Sequence, residues 1–496
     1  LAGFSPTQHY ALANTLSLKY RERIDRPPNP ETPMSHDHAH PSNPGEGPEF
    51  SKSRRTFLAS AAATAAGAMA VSALASSKAK AAPYPAPKPL EPIGQSKPRI
   101  AVKEGETIRV GVIGIGGTPG ACAMGLGHCD AIARIAKSGK EKVEIVAICD
   151  LNNKYLEQGK AKIEKWQPGV KVDTYRKSAE LLARNDIHGV VIATPEHWHS
   201  ANAIEAMYAG KDIYVEKPMT LNLAMAMDMY RVAQANPDLI VQVGAQKTRL
   251  PNYHEARKLI QSGYIGVPTF SQTSYCRNSK DGEWHYGFDN NWKNGEDIDW
   301  DTWCGPLGKM PWDPKLYSQW RRYRKTSTGI IGDLLVHVIT PLMLAVDQGW
   351  PTRVVATGAH LVDKDMENHD NINIAVQFES GHQMVVVGST CNQAGLETMI
   401  RGHKGNIYLG GAHCVVRPEA QFSEEVEEKT VKCANIGDDQ DAHRVGWLNS
   451  IRTREKPMSS VEHGLKVMVV VDLATRSMWE GGAFSFDPKA LAAAKA

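Results

Sequence analysis

Three residues far apart in this chain have the types needed to take a proton from a hydroxyl: Lys217, Asp333 and His337. Oxidising a secondary alcohol removes the hydroxyl proton as hydride leaves carbon. An imidazole with an ordinary pKa near ~6.5 accepts that proton at neutral pH. A lysine ammonium stabilises the developing alkoxide. A carboxylate orients the imidazole or binds a neighbouring hydroxyl. Asp333 and His337 stand four residues apart in the apolar stretch 329–337, so in a helix they share a face. Lys217 belongs to Glu216-Lys217-Pro218, which closes the apolar run 212–215 ahead of a φ-restricting proline.

The elements that must position these groups read as a parallel sheet. The apolar run 189–192 leads into Ala193-Thr194-Pro195-Glu196-His197-Trp198-His199. In an open parallel sheet, ligands bind beyond the carboxyl ends of the strands. Thr194, Pro195, His199, Glu216 and Lys217 are therefore expected at a cofactor site. Upstream, the β-branched run 107–113 opens onto Gly114, Gly116, Gly117 and Gly120. Glycines there permit a tight turn and close approach of backbone to a pyrophosphate, with a helix N-terminus behind. In G-x-G-x-x-G the third glycine would fall at 119, where this chain has proline, and Gly120 follows one residue late. The run 143–149 ends in Asp150, which accepts hydrogen bonds from ribose hydroxyls and repels a 2′-phosphate. That favours NAD, with NADP the second candidate. Its alternative role is a helix cap. The gap to Asp150 exceeds the usual ~20 residues, and the surplus reads as an insertion around 125–129.

These motifs resemble the Gfo/Idh/MocA oxidoreductases, the family of glucose–fructose oxidoreductase and inositol dehydrogenase. The resemblance runs from about residue 99 to residue 488. It implies that Lys217, Asp333 and His337 surround the reacting carbinol, as the matching residues do in inositol-dehydrogenase-like members. It also implies a small-molecule carbohydrate substrate and a homo-oligomer formed on an open sheet face. The segments 298–306 and 320–323 resemble landmarks of exported bacterial members.

The fold expected is α/β: an N-terminal Rossmann-type doubly wound parallel sheet, then a C-terminal α+β domain with a large, mostly antiparallel sheet. We read residues 99–247 as the NAD(P)-binding domain, 248–488 as the substrate and oligomerisation domain, and 489–496 as a tail. In the second domain, 371–378 and 383–387 read as a hairpin, and 398–402 with 405–409 as another pair. Helices are expected at 253–263, 443–452 and 461–478. The Trp-rich stretch holding Trp284, Trp292, Trp300, Trp303, Trp312 and Trp320 either stacks on sugar faces or fills the domain interface.

Composition bounds the rest. The chain has 496 residues, a net charge of +3 and 42% hydrophobic residues, an ordinary globular balance with no reason to expect nucleic acid. Its eight cysteines show no CxxC spacing and read as free thiols, and no metal ligand set stands out. Residues 1–81 read as an N-terminal extension with a twin-arginine export signal, from Ser53-Arg54-Arg55-Thr56-Phe57-Leu58 through the Ala-rich run 59–75, with translation starting at Met34. A Pro-rich linker follows at 82–98. The twin-arginine machinery is then a partner and the periplasm, or another exported location, the destination. Cofactor does not exchange freely there, so it should be tightly held. Sugar oxidoreduction and redox-cycling glycoside hydrolysis both meet that condition. A cofactor-binding protein without turnover is the third reading.

Overall fold

The computed structural model describes residues 94–117 and 123–496. The expected export signal, most of the Pro-rich linker and Gly120 lie outside the described residues.

Six parallel strands form the first sheet: β1 (Ile108–Ile113), β2 (Val143–Cys149), β3 (Asp173–Tyr175), β4 (Gly189–Ile192), β5 (Asp212–Val215) and β6 (Val241–Val243). Their order is β3-β2-β1-β4-β5-β6. Every residue of β4 and β5 is buried, as in strands with both faces covered, which is why they read as apolar runs apart from Asp212, which pairs with Arg454. β1 pairs with β2 on one side and β4 on the other. The strand order reverses at that point, so a crevice opens beyond the ends of β1 and β4.

Glycine packing shapes that crevice. Gly114 has φ 85°, and a Cβ there would sit 2.7 Å from the Thr194 amide nitrogen. The helix Met124–Lys137 then presses on the turn: a Cβ on Gly125 would lie 2.0 Å from the Gly114 carbonyl oxygen. Gly125 thus does the job of the third fingerprint glycine, close helix-to-strand packing. This corrects the sequence reading of an insertion around 125–129. Those residues are the first turn of the helix, with Gly125, His128 and Cys129 buried, so the extra length lies before the helix.

The second sheet has ten strands: β7 (Pro268–Cys276), β8 (Pro351–Ala359), β9 (Asn371–Phe378), β10 (Gln383–Ser389), β11 (Met399–Gly402), β12 (Gly405–Tyr408), β13 (His413–Pro418), β14 (Lys429–Lys432), β15 (Phe484–Asp487) and β16 (Ala492–Lys495). The order is β14-β13-β12-β11-β7-β10-β9-β8-β15-β16, antiparallel except for β7 beside β10. Both expected hairpins, β9–β10 and β11–β12, are present. β9 alternates buried with exposed residues, so one face packs on the helices Val336–Val346 and Val461–Glu480 and the other stays open. The stretch 489–496, read as a tail, supplies edge strand β16. An alanine run has no hydrophobic alternation to announce a strand that pairs through its backbone alone.

The domain boundary is not a single cut. The helix Asp439–Thr453 belongs by sequence to the second domain, yet Trp447, Leu448 and Ile451 pack in one cluster with Ile108, Val110 and Val191 of the first sheet. Its sequence shows an apolar stripe but not the surface that stripe meets.

The packing at Gly125 sets a stability test. Gly125→Val forces the helix away from the Gly114 turn, at an overpacking cost of about 1–3 kcal/mol. Thermal unfolding should show a lower melting temperature, and titration a weaker affinity for NAD. An unchanged melting temperature would show that the contact is not needed.

Candidate functional site

A cavity of about 470 Å³ opens where the two sheets' domains meet. Its wall carries Gly114, Gly116, Asp150, Thr194, Pro195, His199, Glu216, Lys217, Asp333 and His337 together. Gly117 is not in the wall; it faces the Tyr155 ring, which a Cβ would meet at 2.4 Å.

Lys217 is fixed by two contacts, both to Asp333, which Arg321 also meets. Its Nζ donates to Asp333 Oδ1 at 2.8 Å and to the Asp333 carbonyl oxygen at 2.9 Å. Arg321 Nε donates to the same Oδ1 at 2.9 Å. An ammonium has three N–H donors, so one remains for a substrate oxygen. Burial opposes the Asp333 carboxylate, but the charges of Arg321 and Lys217 outweigh it and hold the group well below the usual carboxylate range.

The backbone explains how Asp333 arrives there. Residues Ile330–Leu335 form a π-helical turn that passes into the helix Val336–Val346. Such widened turns recur at functional sites. Gly332 lets this turn press on the lysine loop, since a Cβ there would lie 3.2 Å from Pro218 Cγ and 1.9 Å from Thr328 Oγ1. Asp333 consequently bonds Lys217 and Arg321 rather than His337, and the expected orienting of the imidazole by Asp333 is not made. His337 instead lies beside Tyr275, ring centroids 6.0 Å apart. Burial and then the Lys217 charge push its pKa down to about 3, so the imidazole is neutral at neutral pH.

Glu216 heads a second chain. Its Oε1 lies 2.8 Å from His128 Nε2, and Arg444 Nε donates to His128 Nδ1 at 2.9 Å. That donation leaves the imidazole proton on Nε2, pointed at the carboxylate. Burial works against the Glu216 anion, yet the His128 bond and the charges of Lys217 and Arg444 bring its pKa to about 2. His199 acts as a clamp: its ring nitrogens each lie 2.7 Å from a carbonyl oxygen, those of Thr194 and Pro218. Asp150 accepts from the Gly116 and Asn152 amides at 3.0 and 2.9 Å, so it braces the glycine turn. The following helix is capped by Asn152 instead.

Sequence reasoning missed Arg321, Arg444 and His128. It also passed over Glu196, fully buried, whose Oε1 accepts from Ser327 Oγ at 2.5 Å and Oε2 from the Thr328 amide at 3.1 Å. Burial raises the Glu196 pKa to about 7. The tryptophans pack against one another and line the cavity. Trp300 and Trp303 stack at 4.6 Å inside a cluster with Tyr155, and Trp303, Trp284 and Trp320 also face the cavity.

The residues fit a dinucleotide. Gly114 and Gly116 line the cavity with positive φ, and Thr194 Oγ1 is buried in the wall with no hydrogen-bond partner among the described residues. Residues 108–245 match the oxidoreductase family with an NAD-binding Rossmann fold, and residues 257–485 match that family's C-terminal alpha/beta domain. The chain belongs to the Gfo/Idh/MocA oxidoreductase family.

Relatives and folds agree with this membership. An inositol 2-dehydrogenase/D-chiro-inositol 3-dehydrogenase of Halalkalibacterium halodurans is 30% identical over 177 residues, 36% of this chain and 46% of that protein. A glycosyl hydrolase family 109 protein of a Shewanella species is 34% identical over 133 residues, 26% of this chain and 27% of that protein. These matches span half or less of the relatives' own length. The structure of levoglucosan dehydrogenase in complex with NADH superposes with a TM-score of 0.57 at 19% identity, covering 76% of this chain and 98% of that one. At that identity the likeness is one of fold.

Glu196 gives a pH test. Its folded pKa, about 7, exceeds the ordinary 4.5, so the native state binds more protons between those values and loses stability as pH rises through them. The buried histidines shift the other way, so the variant comparison isolates the effect. Glu196→Gln should lose less melting temperature than the parent between about pH 5 and 8. Parallel curves would place the Glu196 pKa at its ordinary value.

Proposed function

We propose that the protein is an NAD-dependent oxidoreductase acting on a secondary hydroxyl of a sugar, polyol or glycoside. The observation that carries this reading is that Lys217, Asp333 and His337 line the same cavity as Gly114 and Gly116 of the glycine turn. Gly114, Gly116, Asp150, Thr194 and Glu216 would hold the cofactor. NAD, when bound, supplies the hydride acceptor. Lys217, anchored by Asp333, keeps one N–H for the substrate oxygen and offsets charge as the proton leaves. His337 Nδ1 or Nε2, neutral and without a hydrogen bond among the described residues, receives that proton.

The proposal includes export through the twin-arginine route and a cofactor retained through each turnover, from the sequence of residues 53–81. A redox-cycling glycosidase is the second reading, favoured by the likeness to the glycosyl hydrolase family 109 protein. It requires a further acid/base group beyond Lys217, Asp333 and His337. Release of reducing sugar from an aryl glycoside, with no net gain of NADH, selects the glycosidase.

Protein purified from residue 82 onward without added nucleotide should release stoichiometric NAD on denaturation, read by mass spectrometry. Empty protein would remove the retained cofactor. Lys217→Met and His337→Ala should each lower turnover at least ~100-fold with NAD still bound. Near-normal turnover of His337→Ala would defeat its assignment. The acid limb of kcat/KM should lie well below the ~6.5 of an ordinary imidazole, toward the His337 value of about 3.

A further inference from the structure

The cavity wall holds more positive charge than a dinucleotide and an alkoxide require. Seven Lys and Arg side chains line it against three carboxylates, Asp150, Glu216 and Asp333. Arg176 lies near Asp150 and the glycine turn, where a pyrophosphate and ribose would be met. Lys217 and Arg321 share Asp333, and Arg444 reaches Glu216 through His128. Lys177 follows Arg176 in the chain, and two cations, Lys247 and Arg277, remain at the His337 side.

Both flank one tyrosine. Lys247 Nζ lies 5.4 Å and Arg277 Cζ 5.1 Å from the centroid of the Tyr275 ring, whose own centroid is 6.0 Å from His337. Arg277 is held in place: Nη1 donates to Glu283 at 2.9 Å and Nη2 to the Tyr275 hydroxyl at 2.8 Å. Glu283 neutralises that guanidinium but leaves its other N–H donors unused by described residues. Lys247 is half-buried and donates no hydrogen bond to any described residue, with Asp439 interacting at longer range. An ammonium partly withdrawn from water without a bonded acceptor is costly unless a ligand supplies one. Trp284, Tyr286 and Trp320 stand in the same wall, with flat faces suited to a sugar ring.

We propose that the substrate is an acidic sugar whose anionic group is held between Lys247 and Arg277, with the reacting hydroxyl at Lys217 and His337. This rests on the oxidoreductase reading for the identity of the reacting hydroxyl. The anion itself takes no part in the redox step: hydride passes to NAD, the hydroxyl proton to the histidine, and the carbinol becomes a carbonyl.

The test is calorimetric binding to the NAD-loaded protein, with D-glucuronate, D-glucose 6-phosphate and D-glucose as probes, beside cofactor reduction by each. Glucuronate should bind at least ~10-fold tighter than glucose. Lys247→Met and Arg277→Met should bring that ratio toward one, and Lys247→Arg, which keeps the charge, should preserve it. Tighter binding of the phosphate than of glucuronate supports the anion subsite and names phosphate as its ligand. Equal binding of glucuronate and glucose, or an equal loss for both in Lys247→Met, overturns it. An acidic sugar that binds yet never reduces the cofactor defeats the oxidoreductase reading and leaves the subsite standing. Cofactor reduction by neutral sugars alone does the reverse.

Discussion

Both halves of this site hang on one carboxylate oxygen. Asp333 Oδ1 receives Lys217 from the first domain and Arg321 from the second. A buried anion between two cations is stable only when all three are present, because removing one partner leaves an uncompensated charge away from water. The triad keeps a net positive charge, and Lys217 is the member that reaches the cavity with a donor to spare. The interaction therefore does two things: it joins the domains, and it fixes in the cavity the cation that the proposed reaction sets beside the hydroxyl. His337 follows from the same arrangement. The charge beside it, added to burial, keeps its ring unprotonated.

The cofactor side is built by a similar reach across the chain. Arg444 sits on a helix that leaves the second domain and packs on the first sheet through Trp447, Leu448 and Ile451. From there it sets the tautomer of His128, which in turn donates to Glu216, the neighbour of Lys217 in the chain. One guanidinium far along the sequence thereby steadies the loop that carries the lysine. Gly125 and Gly332 are the steric counterparts: a Cβ on Gly125 would meet the Gly114 backbone, and one on Gly332 the side chains of Thr328 and Pro218.

Legibility in the sequence followed locality. The runs before Ala193 and Glu216 were readable because a strand buried on both faces is apolar nearly without interruption, and the polar residues after it can only be at its end. Hairpin β9–β10 was readable from alternation around a tight turn. Lys217, Asp333 and His337 were assembled through family resemblance, and their meeting in one cavity depends on a π-helical turn that no spacing rule foretells. That turn is why the four-residue spacing of Asp333 and His337 did not make them partners. Arg321 looked like one basic residue among several because its value lies in a carboxylate twelve positions on. Edge strand β16 was silent because backbone pairing leaves no mark on an alanine run.

The surplus of cations gains meaning against this background. A triad of Lys217, Arg321 and Asp333 already tolerates a net charge in a half-closed cavity, which makes each further cation harder to keep. Lys247 and Arg277 add to that field beside Tyr275, and the Lys247 charge, after burial and Lys217, lowers the basicity of His337. A site tuned only for proton abstraction from a neutral sugar gains nothing from them. An anion bound between them would offset that charge and seat the ring against Trp284 and Trp320, which line the same cavity.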